Sequence, residues 1–157
     1  ASAFSGTGLK LVNSDTKFER DLKKAGLSMK MPDDEEYFRN LIRGHAKRFA
    51  VTQLDQYIKG RLGLIIDSTG RDYDKIARQK AILDQLGYDC YMIFVNTSLE
   101  VALERNKTRS RSIPEYIVQR FKRDRSSQLR NAKIRLSNMK IGEMIQNMRG
   151  KSKWLKY

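Results

Sequence analysis

The sequence predicts an α/β domain with three layers, in which a parallel sheet is flanked by helices on both faces. Three short apolar runs, at 9–12, 62–66 and 88–95, have the length and composition of strands. Longer segments with helical periodicity separate these runs, and glycine follows most of them. Strands that alternate with helices favour a parallel sheet, because each helix carries the chain back to the edge where the previous strand began.

The first two helices have clear start and stop signals. Ser14 or Asp15 can cap a helix that ends just before Gly26. The second helix begins at Pro32, which four acidic residues follow at the positive end of its dipole, and it ends at Gly60. Its expected buried positions are Tyr37, Leu41, Leu54, Tyr57 and Ile58.

The second half of the predicted sheet starts at the run 62–66, whose continuous apolar content is typical of a strand covered on both faces. A helix over 72–86 and a strand over 88–95 follow. Thr97 and Glu100 have the spacing of a capping box, which predicts the start of another helix.

Positive charge is unevenly distributed along the 157 residues. The formal net charge is +14, of which residues 1–120 carry +5 and residues 121–157 carry +9. We therefore divide the chain into an α/β domain at 1–120 and a basic tail at 121–157, which we expect to be an amphipathic helix. A basic excess points to anionic partners, and residues 122–156 are the expected contact with nucleic acid.

Two other features of the sequence limit the class of protein and its location. No apolar run approaches the roughly 20 residues that span a bilayer, so we expect no membrane partner. The single cysteine, Cys90, has no partner for an internal disulfide, which suits a reducing, cytoplasmic location.

Polar side chains directly follow all three predicted strands, at 13–15, 67–71 and 96–97. The carboxyl ends of parallel strands meet at one edge of a sheet, and ligands bind there. We therefore expect the three segments to lie along the same edge.

Two of these segments carry carboxylates with a chemical and a structural interpretation. Asp67 can hold a Mg²⁺-bound water, while Thr69 and Arg71 offer a hydroxyl and a cation to phosphate. Alternatively, Asp67 caps the helix that follows. Asp15 can orient or deprotonate an attacking hydroxyl, or it can cap the first helix.

Residues 105–111 are predicted to form a cationic loop, which Ile113 and Pro114 end. Its arginines are Arg105, Arg109 and Arg111. Such a segment can close over a triphosphate and stabilise charge during phosphoryl transfer. The alternative is a solvated run of charges without a ligand.

Taken together, the segments resemble the zeta-toxin-like branch of P-loop kinases, which includes small phage-encoded members. The resemblance covers roughly residues 9–120. It is carried by Leu11-Val12-Asn13-Ser14-Asp15, by Ile65-Ile66-Asp67-Ser68-Thr69-Gly70-Arg71, by Leu86-Gly87-Tyr88-Asp89 with Met92-Ile93-Phe94-Val95, and by 101–111 with Ile113-Pro114.

The resemblance implies a P-loop NTPase-like fold that transfers the γ-phosphoryl group of ATP to a hydroxyl acceptor, with Mg²⁺. It implies that Asp15 orients or deprotonates the acceptor hydroxyl and that Asp67 interacts with Mg²⁺ through water. Thr69 and Arg71 resemble the pair near the phosphates. The lid arginines of the family correspond to Arg105, Arg109 and Arg111.

The phosphate-binding loop of the family has no counterpart in this sequence. Ser5-Gly6-Thr7-Gly8 lacks a lysine and precedes a strand rather than a helix. We expect the chain to begin after the P-loop helix and to bind ATP weakly as it stands. The alternative function is a non-catalytic nucleic-acid-binding protein that uses the basic tail.

Overall fold

The computed structural model describes residues 6–69, 72–123, 140–146 and 152–156. These residues form two compact units. The first unit comprises residues 1–69 with 110–112, and the second comprises 70–109 with 113–157. The predicted alternation of strands and helices is confirmed, but the strands form two small sheets, one in each unit.

The sheet of the first unit is a parallel pair. Strand β1 (Lys10–Val12) lies beside β2 (Leu64–Ile66), and Val12 is paired with Ile66 at the carboxyl end. Gly63 lies at the start of β2, where a Cβ atom would come within 2.5 Å of the Leu9 side chain. A larger residue at this position would therefore require the Leu9 side chain to move.

The helices of the first unit pack on each other. Helix α1 (Ser14–Lys24) and helix α2 (Glu36–Lys59), which a short 3-10 turn precedes, share a core of Phe18, Leu22 and Ala46. Partly buried residues surround this core: Leu27, Met29, Met31 and Ile42. Among the described residues, no helix has the length and apolar content needed to cross a membrane.

The glycine at the end of α1 acts as predicted. Gly26 has a φ of 69°, and the N–H of Leu27 donates to the carbonyl of Leu22 at 3.0 Å. This is a Schellman motif, which pairs carbonyls that the helix leaves without a partner. Helix α2 also ends where predicted, but the left-handed residue there is Arg61, with a φ of 54°, and not Gly60.

The apolar face of α2 was predicted wrongly at its first turns. Tyr37 and Leu41 were expected in the core, yet they are 69% and 56% exposed. The helix instead turns Ile42 and Ala46 toward α1. These two residues are four positions apart and therefore share one face of the helix.

Three helices and one strand open the second unit. They are α3 (Tyr73–Gln85), β3 (Tyr91–Thr97), α4 (Leu99–Thr108) and α5 (Glu115–Arg123). The prediction of a Thr97 capping box is wrong, because Thr97 is the last residue of β3 and Ser98 caps α4 by accepting from the Val101 N–H at 3.2 Å.

The predicted helical tail is also corrected. Strand β4 (Lys140–Gln146) pairs in parallel with β3, and β5 (Ser152–Lys156) pairs antiparallel with β4. The four-residue spacing of apolar residues in this region suggested a helix, but a short apolar run fits a central strand equally well. The rest of the tail lies outside the described residues.

The division into two sheets changes one further expectation. Asn13 and Asp67 follow the paired strands β1 and β2, so they share a sheet edge as predicted. The segment Asn96–Thr97 belongs to β3, which pairs with β4 in the other sheet. The predicted single edge for all three segments is therefore wrong.

Substitution of Leu22 by Ala should destabilise the first unit. Leu22 is completely buried between α1 and α2, so truncation leaves a cavity and costs about 3 kcal/mol of unfolding free energy. Urea denaturation followed by circular dichroism measures the loss. Leu41→Ala is the matched control, because Leu41 is more than half exposed. An equal loss in the two variants would contradict the assigned core.

Candidate functional site

Asn13 connects the carboxyl ends of β1 and β2. Its Nδ2 donates to Oδ2 of Asp67 at 2.7 Å, and its Oδ1 accepts the N–H of Asp15 at 2.6 Å. The backbone ladder continues into the site, because the N–H of Asp67 donates to the carbonyl of Val12 at 3.1 Å. The Asn13 amide therefore links the Asp67 carboxylate to the backbone N–H of Asp15.

The Asp15 carboxylate lies between two guanidinium groups. Arg43 donates to its Oδ1, and Nη2 of Arg111 donates to its Oδ2 at 2.9 Å. The Asp15 side chain is still 38% exposed. Each carboxylate oxygen has two lone pairs, so Asp15 keeps the capacity to accept a hydrogen bond from a hydroxyl that approaches from solvent.

Arg111 is shared between two acids. Its Nε donates to Oε1 of Glu19 at 2.6 Å, in addition to the bond with Asp15. Glu19 lies one turn after Asp15 on α1, so both carboxylates point from the same face of the helix. The Arg111 side chain is only 12% exposed, and the N–H of Ser112 donates to the carbonyl of Met29 at 3.2 Å. These bonds dock the segment 110–112 on the first unit.

Phe18 supports both arginines from the hydrophobic core. The guanidinium carbon of Arg43 lies 4.8 Å from the centre of the Phe18 ring, and that of Arg111 lies 5.9 Å from it. Cations at these distances are attracted by the face of an aromatic ring. Because Phe18 is itself buried, the ring gives the two charged side chains a fixed platform.

Two opposing effects act on the acidity of Asp15. Burial raises the pKa of the carboxyl group, but hydrogen bonds and charge from Arg43 and Arg111 outweigh burial and hold the pKa below its ordinary value. Asp15 is therefore ionised at neutral pH and is a weak base.

The other predicted site residues lie in different places. Thr69 is exposed in the first unit, two residues after Asp67. Arg71 lies outside the described residues. Arg105 is in the last turn of α4, and Arg109 caps the C-terminus of that helix, so both belong to the second unit. The predicted cationic loop is therefore largely helical up to Thr108.

The alternative interpretations of the two acids as helix caps are wrong. Asn13 caps α1, as its bond to the Asp15 N–H shows. Asp72 caps α3 by accepting from the Lys75 N–H at 2.9 Å. Asp67 and Asp15 are thus available for side-chain interactions across the unit rather than for local capping.

Sequence reasoning missed three members of this cluster, Glu19, Phe18 and Arg43. A signal for Glu19 existed, because it follows Asp15 by four residues on a predicted helix. No local signal identifies Arg43, which lies 28 residues from Asp15 and meets it only through the packing of α1 on α2.

The residues fit an indirect interaction with Mg²⁺. Among the described residues, no group of three His, Cys, Asp or Glu side chains could hold a metal ion directly. Asp67 is an exposed single carboxylate whose Oδ2 accepts one bond from Asn13, so it retains lone pairs for a metal-bound water. The sequence contains no Gly-x-x-x-x-Gly-Lys-Ser/Thr segment that could supply a phosphate cradle.

A family model described as an AAA domain matches residues 4–127. The chain belongs to this AAA domain family. Membership places it among P-loop NTPase-like, nucleotide-binding domains of the kinase type, with an α/β fold. No curated protein and no solved structure significantly matches the chain.

Variants of Asn13 separate its two roles. Asn13→Ser keeps a side-chain oxygen that can cap α1, whereas Asn13→Ala removes it and costs about 1 kcal/mol more of unfolding free energy. Both variants lose the bond to Asp67. Urea denaturation of the two proteins measures the difference, and equal stabilities would contradict the assigned cap.

Stability should depend on the ionisation of Asp15. Its pKa is lower in the folded state than the ordinary value of 3.8, so its ion pairs stabilise the fold fully above that value and are lost as pH falls through the folded-state pKa. We expect the unfolding free energy to fall as the pH is lowered below about 5, and to fall less in Asp15→Asn.

Denaturant titrations at a series of pH values measure this slope. Part of it should remain in the variant, because hydrogen bonds from Lys17 and Lys80 lower the pKa values of Asp21 and Asp84. Identical slopes in the two proteins would refute the ion pairing of Asp15.

Proposed function

We propose that this chain carries the acceptor side of an ATP-dependent phosphotransferase, which moves a γ-phosphoryl group to a hydroxyl acceptor. The observation that supports the proposal is the placement of Asp15 and Asp67 after two adjacent parallel strands, linked through Asn13. In α/β sheets this edge is where ligands bind. The resemblance to zeta-toxin-like and phage kinases supplies the reaction type.

In this proposal Asp15 orients the acceptor hydroxyl. A carboxylate with a lowered pKa accepts a hydrogen bond well but removes a proton poorly. Phosphoryl transfer passes through a loose transition state in which little basicity is required before the new bond forms. Alignment of the hydroxyl oxygen is therefore the contribution that this carboxylate can make.

Asp67 would act on the metal side. When bound, ATP supplies the phosphoryl group and Mg²⁺ neutralises phosphate charge. Asp67 would hold the metal through water, and Thr69, two residues further on, would offer its hydroxyl to the nucleotide, as Arg71 would offer its cation. Asn13 links the Asp67 carboxylate to the backbone of Asp15.

The lid arginines would have different roles. Arg105 and Arg109 would contact phosphate, as the resemblance implies. Arg111 is paired with Asp15 and Glu19, so phosphate would have to compete with two carboxylates for its guanidinium. Charge stabilisation by Arg111 would therefore depend on exchange of these ion pairs.

A second candidate function is nucleic-acid binding through residues 122–156. It is favoured by the net charge of +9 over residues 121–157. Binding through phosphate contacts would weaken steeply with salt. The two functions are compatible when the acceptor hydroxyl belongs to a nucleic-acid end.

The transfer reaction can be tested on the full chain. We expect labelled phosphate to pass from γ-³²P-ATP with Mg²⁺ to one member of a panel of sugar nucleotides and oligonucleotides with free hydroxyls. Asp15→Asn should lower kcat about 100-fold, because the acceptor hydroxyl is no longer aligned by the charged carboxylate.

Asp55→Asn is the matched control. Asp55 is a half-exposed acid on α2 that pairs with Lys59 one turn away, so its loss should leave transfer unchanged. Absence of transfer to every acceptor, or full activity of Asp15→Asn, would contradict the proposed function. Oligonucleotide binding that declines with salt, without transfer, would favour the second candidate.

A further inference from the structure

We propose that Arg43 is a positioning residue that fixes the Asp15 carboxylate for the acceptor hydroxyl independently of Arg111. This inference rests on the proposed function of Asp15. It assigns different tasks to two arginines that contact the same carboxylate. The assignment follows from the elements that carry them, the oxygens that they contact and the other partners that they have.

The two arginines bind different oxygens of Asp15. Arg43 donates to Oδ1, and Arg111 donates to Oδ2. The bond to one oxygen can therefore break while the bond to the other oxygen stays in place. A carboxylate held at one oxygen by a fixed donor keeps its orientation while the second oxygen changes partner.

Arg43 is fixed by its surroundings. It lies in the interior of α2, next to Ile42 and one turn before Ala46, and both of these residues pack in the core. Its guanidinium also lies over the buried ring of Phe18. The contact with this ring restrains the guanidinium, so less conformational freedom is lost when Arg43 binds Asp15.

Arg111 is held differently. It lies in the segment 110–112, between the ends of α4 and α5, and not within a helix. It divides its donors between Asp15 and Glu19, so it can release Asp15 and still keep one carboxylate partner. If Arg111 releases Asp15, its guanidinium stays paired with Glu19 while Arg43 still holds Oδ1, so the orientation of Asp15 should survive the exchange.

The experiment uses NMR of the full chain without nucleotide or acceptor. Three-bond couplings from the Asp15 Cγ to the backbone N and carbonyl carbon report whether χ1 occupies one rotamer or averages over several. A pH titration of the Asp15 Cγ shift gives its pKa. The proteins compared are the wild type, Arg43→Gln, Arg43→Lys, Arg111→Gln and Arg39→Gln.

We expect Arg43→Gln to average the Asp15 couplings and to raise its pKa. Arg111→Gln should also raise the pKa, because a cation is lost, but it should leave the couplings at the wild-type values. Arg43→Lys should retain part of the lowered pKa through its charge. Arg39→Gln is the control, since Arg39 lies on the same helix and donates to the carbonyl of Pro32.

Unchanged couplings in Arg43→Gln would overturn the proposal, as would averaging in Arg111→Gln alone. Amide spectra show whether a variant is folded. If Arg43→Gln unfolds, Arg43→Lys decides the question, because a lysine cannot reproduce the planar guanidinium contact and should still loosen the χ1 angle. Because no nucleotide is present, failure of phosphoryl transfer would refute the proposed function and leave this result standing.

Discussion

The Asp15 carboxylate is paired with two arginines, and these ion pairs join three parts of the first unit. Arg43 brings α2 to it, and Arg111 brings the segment 110–112. Glu19 pairs with Arg111, so two carboxylates and two guanidinium groups together have no formal net charge. Partly buried charges are stable in this form, because each has a hydrogen-bonded partner of opposite sign. The Phe18 ring joins the cluster to the hydrophobic core, so the site and the fold share their support.

The cluster around Asp15 is neutral, in contrast to the strongly positive net charge of the whole chain. The chain is strongly basic, but most of the excess lies beyond residue 120. Within the cluster, an incoming anion meets arginines whose charge is already compensated. Attraction of anions by the whole chain is a long-range effect that salt screens. To be bound selectively at the site, an anion must instead replace a carboxylate partner of an arginine. Arg111, which has two carboxylate partners, is the candidate for this exchange.

Local signals account for what the sequence predicted correctly. The ends of α1 and α3 were predicted to within one or two residues, because glycine follows each helix and adopts a positive φ. The shared edge of β1 and β2 was predicted because a parallel crossover has few alternatives. Strand β4 was missed because its identity depends on pairing with β3, which lies more than 40 residues earlier. Its apolar spacing fits a helix or a buried strand equally well.

Some residues of the site can likewise be identified from their neighbours in the sequence, whereas others depend on contacts between distant segments. Asp15 and Asp67 could be identified because both follow strands directly, whereas the residue that orients Asp15 comes from the packing of one helix on another. A carboxylate that only needed to be basic would require no such partner and would be better served by an apolar pocket, which raises the pKa. The two guanidinium groups act in the opposite direction and favour the ionised form. An acid placed in this way has gained a defined orientation at the expense of basicity, and that combination suits alignment of a hydroxyl in a reaction whose transition state requires little proton removal.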